Sequence, residues 1–211
     1  MALRELLKYG NVEHATLVDI DPAMTALSEW FPPLAKLNSG ALKDSRVTIV
    51  NADAMIWLES VNEQFDLVLI DFSDPNSFSL GKLYTTRFYR LLRDRVGSDA
   101  RICIQCTSPF LSRKAYWCIV RTMEAAGFHV RPFHAAVPSF GDWGFALASP
   151  VPFETPRRIS GNLSGGLRFL NDEMLLSMFN LPTDLAPVDV EINRLDNQVL
   201  VRYYESDVGA G

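Results

Sequence analysis

An α/β fold, a doubly wound and mostly parallel sheet closed by an antiparallel hairpin, is predicted by three observations. Short apolar runs alternate with helix-period segments from residue 2 to about residue 150, the signature of βα units. Three of those runs end in acids that are followed at once by a turn or helix start: LVDID, NADA and LIDFSDP. The last two runs, HVRPFHAAVP and DWGFALASP, follow each other with only the turn residues Ser139 to Gly141 between them.

Each element has a local reason. Residues 2–9 place Leu3, Leu6 and Leu7 on one face and stop at Gly10, a helix. ATLVDID (15–21) is a strand ending in acids, and Pro22 opens a helix through Trp30. The Pro-Pro and Asn-Ser-Gly pieces between Pro32 and Gly40 read as a loop. VTIVNADA (47–54) is the next strand, followed by a helix over 54–60. FDLVLIDF (65–72) is nearly continuous in apolar residues, as a strand buried on both faces of a parallel sheet is. The segment Ser73 to Lys82 is polar and rich in turn residues, a loop of the kind that covers sites. A helix over 84–96, a strand at RICIQC (101–106), a helix over 111–127 and the hairpin complete the pattern. Beyond Pro150 it dissolves into loops, a short helix near 170–179 and a Pro-rich tail. The chain therefore divides into a catalytic domain at 1–150 and a C-terminal extension at 151–211.

Composition narrows the class. The 211 residues are 48% hydrophobic and carry a formal charge of −5, enough for one good core and weakly unfavourable to nucleic acid. No run reaches the ~20 apolar residues of a membrane span, and the charged N-terminus is not a signal peptide, so a cytoplasmic protein is expected. Cys103 and Cys106 have redox or metal spacing but sit inside an apolar strand without a second pair or nearby histidine. Buried reduced thiols are the expectation, and no metal site is. His14, His129 and His134 show no ligand spacing.

The chemistry concentrates at strand ends, where open α/β sheets bind ligands. Asp71 and Asp74, in Asp-x-x-Asp-Pro, put two acids there with Pro75 stopping the strand, an arrangement suited to a cationic ligand. Neighbouring acids raise each other's pKa unless a cation intervenes, and one of them can take a proton from an amine. Asp19 sits where an acid accepts hydrogen bonds from vicinal ribose hydroxyls, while Asp21 suits a cap on the helix begun at Pro22. Asp53 reads equally as an adenine contact, with Ala54 facing the ring edge, or as a helix cap. Gln105 and Ser108 end the following strand, where they line the same pocket or, for Ser108, a turn around Pro109. Trp143 and Phe145 read as core.

Together these segments resemble the spermidine synthase (polyamine aminopropyltransferase) family from residue 2 to about 149. The resemblance rests on LVDID, NADA, LIDFSDPNSFSLGKLYTTRFY, IQCTSPF and VPSFGDWGF, in that order, with Asp-x-x-Asp-Pro followed by Leu-Tyr the specific part. It implies the Rossmann-like fold of S-adenosylmethionine-dependent transferases. It also implies aminopropyl transfer from decarboxylated S-adenosylmethionine, a co-substrate rather than a resident cofactor, to putrescine or another polyamine. On that likeness Asp71 is the proton acceptor, and Asp74, Gln105 and Tyr84 bind the amine. Asp19 binds ribose, and Asp53 with Ala54 holds adenine. The family admits a homodimer, and LDNQVLVRYYE (195–205) resembles the tail of bacterial members that carry a membrane-spanning region upstream.

Two departures accompany the likeness. The family's first strand and its Gly-Gly-Gly-Asp-Gly loop fall before residue 1, so the neighbours of that strand are expected to lack ladder partners. Phe140 stands in VPSF where many members have a tyrosine. The competing readings are a methyltransferase on the same fold, which needs no acid pair at 71 and 74, and a non-catalytic remnant.

Overall fold

The computed structural model describes residues 1–160 and 167–208; residues 161–166 and 209–211 of the expected C-terminal extension lie outside the described residues. Two compact units form, Met1–Val61 and the chain from Asn62 onward.

In the first unit α1 (Ala2–Leu6) precedes β1 (Ala15–Asp19), which pairs in parallel with β2 (Val47–Asn51), Ala15 opposite Val47 and Asp19 opposite Asn51. Between them run α2 (Pro22–Trp30) and α3 (Pro32–Leu37), and α4 (Ala54–Ser60) follows β2. The helix α3 corrects the loop expected from Pro32 to Gly40. Its prolines occupy first-turn positions, where no backbone N–H is needed, and Leu34 to Leu37 are good helix formers. The chain leaves it through left-handed Ser39 and Gly40 (φ 56° and 67°), held by Asn38, whose side chain donates to Ser28 O (2.7 Å) and accepts from Gly40 N (2.9 Å). Arg46 pairs with Asp44 (2.8 Å) and reaches the carbonyls of Leu7 and Val12, tying the turn after α1 to the start of β2.

The second unit holds a four-stranded sheet in the order β3-β4-β6-β5. β3 (Phe65–Ile70) is parallel to β4 (Val96–Gln105), with Ile70 opposite Ile104. β5 (His129–Val137) and β6 (Gly141–Ser149) form the expected hairpin, and β6 pairs antiparallel with β4. Two helices, α5 (Phe78–Gly81) and α6 (Thr86–Arg93), lie between β3 and β4, and α7 (Arg113–Ala125) joins β4 to β5. The core is Ile102, Ile104, Ala146 and Ala148 from the sheet, with Tyr116, Ile119 and Met123 from α7, all fully buried.

As expected of strands whose ladder partner is lacking, β1 bonds only β2 and β3 bonds only β4 among the described residues, so each has one bare flank. Two further expectations are corrected. As the edge strand of its sheet, β3 leaves Leu67 and Leu69 nearly half exposed instead of burying both faces. The region beyond residue 150 contains, besides α8 (Asp172–Met178), a second helix, α9 (Val199–Val208), where a tail was expected. Asn197, two residues ahead, accepts from Arg194 N (2.9 Å) and Val199 N (3.4 Å), and Val199, Leu200 and Val201 are buried as α9 packs on α7. Residues on both sides of the expected boundary at 150 thus pack within one unit. No helix among the described residues is long and apolar enough to cross a membrane.

Candidate active site

In the first unit, acids end both strands. Asp19 closes β1, and its Oδ1 accepts from Asp21 N (2.8 Å), which fixes the carboxylate beside the strand end. Asp21 Oδ1 accepts from Ala23 N (2.8 Å) and caps α2, with Pro22 in the first helical position. Asp53 Oδ1 accepts from Met55 N (2.9 Å) and Ile56 N (3.5 Å), so it caps α4 at the end of β2. Ala54, half-buried, is the first residue of that helix.

In the second unit, Asp71 to Asp74 follow β3. Asp71 is exposed, and its carboxylate has no hydrogen-bond partner among the described residues. The backbone between the two acids is pinned at both carbonyls. Gln105 Nε2 donates to Phe72 O (2.5 Å), and the Tyr84 hydroxyl donates to Ser73 O (3.0 Å). Gln105 is held in turn, its Oε1 accepting from Trp143 Nε1 (2.6 Å) and Thr107 N (3.1 Å). Burial pushes the fully enclosed Tyr84 phenol well above its ordinary pKa, with Cys106 and both acids adding to the effect, so it remains a donor. The Phe72 ring packs edge-on against Tyr84 and Phe88, with centroids at 6.0 and 5.5 Å.

Asp74 is engaged on one oxygen only. Tyr204 of α9 donates its hydroxyl to Oδ2 at 2.8 Å, while Oδ1 is buried without a partner among the described residues. Burial and then this carboxylate push the Tyr204 phenol up to about 12. Ser108 serves a turn, donating to Asp142 O (2.7 Å) and accepting from Leu111 N (3.2 Å). Phe140 is 63% exposed and lies 5.3 Å, centroid to centroid, from Trp143.

The structure therefore brings Asp71, Asp74, Gln105 and Tyr84 into one cluster of the second unit, and Asp19, Asp53 and Ala54 into the strand ends of the first. Sequence reasoning missed two members of the cluster. Trp143 reads as core, yet its indole N–H fixes Gln105; the need of an enclosed indole N–H for an acceptor was the available signal, although Trp143 itself is only half-buried. Tyr204 lies in what reads as a tail and carries no signal by spacing. Among the described residues, no group of His, Cys, Asp and Glu is arranged for a metal. Burial pushes the Cys103 thiol up to about 11 and the Cys106 thiol well above its ordinary value, so neither is a thiolate near neutral pH.

Residues 1–154 match the spermine/spermidine synthase domain family. The polyamine aminopropyltransferase of Leptospira interrogans is 49% identical over 207 residues, 98% of this chain and 41% of that protein. Polyamine aminopropyltransferase 2 of Ralstonia nicotianae is 46% identical over 98% of this chain and 40% of that protein. The chain thus spans about two fifths of the length of these curated relatives. The crystal structure of spermidine synthase from Thermotoga maritima superposes with a TM-score of 0.72 at 21% identity, covering 99% of this chain and 65% of that one. A spermidine synthase in complex with the transition-state analogue AdoDATO gives 0.72 at 22%, over 99% of this chain and 66% of its own. At such identities the likeness establishes the fold, which is that of these spermidine synthases.

Proposed function

We propose, from the premise that the chain belongs to the spermine/spermidine synthase family, that it takes part in aminopropyl transfer from decarboxylated S-adenosylmethionine to putrescine or another polyamine. The observation that carries this reading is the acid pair after β3: among the described residues, one carboxylate is exposed and unpaired and the other has a buried oxygen lacking a donor. A diamine supplies both missing partners, a proton to be removed at one nitrogen and an ammonium at the other.

The chemistry is an in-line displacement. The lone pair of a neutral amine attacks the propyl carbon bonded to the sulfonium; the C–N bond forms, the C–S bond breaks, and its electron pair leaves with methylthioadenosine. The new ammonium then gives its extra proton to Asp71. A sulfonium is already a good leaving group, so the step needs no metal or resident cofactor, and the protein contributes position and a base. In this reading Asp74 binds the distal ammonium. Gln105 and Tyr84 serve the amine by holding the Phe72 and Ser73 carbonyls, which sets the spacing of the two acids. Asp19, whose Oδ1 is already oriented by Asp21 N, takes the ribose hydroxyls. Asp53 with Ala54 takes adenine, the acid keeping its cap. The three free thiols fit a reducing compartment such as the cytoplasm.

The test is Asp71→Asn, assayed for methylthioadenosine release with putrescine. Transfer should fall by about a thousandfold or more, in keeping with loss of a general base, at an unchanged melting temperature. An Asp71→Asn variant as fast as wild type would remove Asp71 from the mechanism.

A further inference from the structure

The Asp74 carboxylate is held from outside the loop that carries it. Tyr204 Oη donates to Oδ2 (2.8 Å), and Oδ1 is buried with no donor among the described residues. A buried acceptor left unpaired costs free energy, and such groups in native structures call for a ligand, an ion or a strain that explains them.

Tyr204 is not delivered by a loose end. A Cβ on Gly81 would lie 2.7 Å from Val201 Cγ2, so glycine at that position is what lets α9 seat against the end of α5. Asn193, fully buried, donates through Nδ2 to Gly81 O and Tyr84 O (both 3.1 Å) and accepts at Oδ1 from Leu200 N (3.3 Å). Past Tyr204, Asp207 Oδ2 accepts from Lys114 N (3.0 Å), anchoring the far end of α9 to the first turn of α7. The tyrosine is thus clamped on both sides along its helix, and the clamp includes the residues that follow the acid pair.

We infer that Tyr204 is a positioning residue for amine recognition: by occupying Oδ2 it fixes the rotamer of Asp74 and reserves Oδ1 as acceptor for the substrate's distal ammonium. The inference rests on the proposed aminopropyl transfer and extends amine recognition into α9, outside residues 1–154. A phenol pushed up to about 12 keeps its proton throughout the range in which a diamine is charged, so the donor is permanent. Because the ammonium concerned does not react, the effect falls on amine affinity and leaves the chemical step alone.

The test compares Tyr204→Phe with Tyr203→Phe, which removes the neighbouring hydroxyl that accepts from Glu191 N (3.2 Å). Steady-state transfer is measured with decarboxylated S-adenosylmethionine and putrescine, beside calorimetric titration with putrescine in saturating methylthioadenosine. Tyr204→Phe should raise both the putrescine KM and its Kd about tenfold, with kcat and donor KM unchanged, as loss of one oriented charge-assisted contact predicts. Tyr203→Phe should alter none of these. Unchanged putrescine KM and Kd in Tyr204→Phe, or equal losses in both variants with lowered melting temperatures, overturn the inference. A wild-type chain that binds putrescine without transferring sinks the proposed function alone, and the Kd ratio still decides on Tyr204. A wild-type chain that neither binds nor transfers overturns both.

Discussion

Gln105, Tyr84 and Trp143 are side chains whose polar atoms face the protein's own backbone and one another. Gln105 has two lone pairs and two N–H groups; its bonds to Trp143, Thr107 N and Phe72 O use three of them, and the amide also serves the Tyr84 phenol. Position at a strand end made Gln105 a candidate, and the structure sets it beside the acid pair. That position could not reveal that the amide is turned toward the carbonyl between the two acids, because that depends on Trp143, 38 residues later. The acids were legible for the opposite reason: a carboxylate at the end of an apolar run has few local uses, and only Asp21 and Asp53 found one as caps. Tyr204 gives a prediction at this scale. Its folded-state pKa is raised from 10.0 to about 12, so the stability its phenol contributes is intact below pH about 10 and lost as pH rises toward 12. The difference in denaturation midpoint between wild type and Tyr204→Phe should be constant from pH 7 to about 9.5 and shrink above it. A difference flat to pH 12 would mean that the phenol titrates alike in the folded and unfolded chain.

At the scale of elements, β1, α2, β2, α4 and the β5–β6 hairpin were legible because local chemistry and burial agree there. Asp21 followed by Pro22 states a helix start outright, and the observed α2 spans the expected Pro22–Trp30. α3 and α9 were missed where two signals conflict. Pro32 and Pro33 are breakers inside a helix and starters at its first turn, and only the turn ahead of them tells which. The run Val199 to Val201 is apolar and holds two β-branched valines, which are weaker helix formers, yet it becomes helical because burying that face against α7 outweighs their propensity cost. Asn193 joins α9 to the segment after the acid pair and is the element's critical side chain. Asn193→Ala would strand the carbonyls of Gly81 and Tyr84 and the N–H of Leu200 in a water-free place. It should cost about 3 kcal/mol, measured by urea denaturation, since one unsatisfied buried group costs about 1–3 kcal/mol. A loss below about 0.5 kcal/mol would show that α9 docks without it.

For the molecule as a whole, the strands fall into two sheets, and β1 and β3 are each bare on one flank among the described residues, the ladder gap that was expected of them. The units differ in what supports them. Within Met1–Val61 the apolar residues buried are Ala15, Ala41 and Leu58, while Ile20, Trp30 and Ile56 are each more than three-fifths exposed. A two-stranded sheet with so small a core is marginal, whereas β4 and β6 are bonded on both sides or packed under fully buried side chains. Local opening free energies should follow. In native-state hydrogen exchange, the amides of β1 and β2 should exchange at least about a hundredfold faster than those of β4 and β6, a gap of ~2.7 kcal/mol. The proposed nucleoside contacts, Asp19 and Asp53, lie in this weaker unit, so ligand binding and order are coupled there. Methylthioadenosine at a hundred times its Kd should slow exchange in β1 and β2 by up to the same hundredfold, because a ligand that binds only the ordered form stabilises it by about 2.7 kcal/mol. The β4 and β6 amides, already opening by a costlier route, should change less. Equal exchange in the two units without ligand would mean that the first unit is supported by more than its own core. Protection by methylthioadenosine in β4 and β6 alone would take the nucleoside away from Asp19 and Asp53.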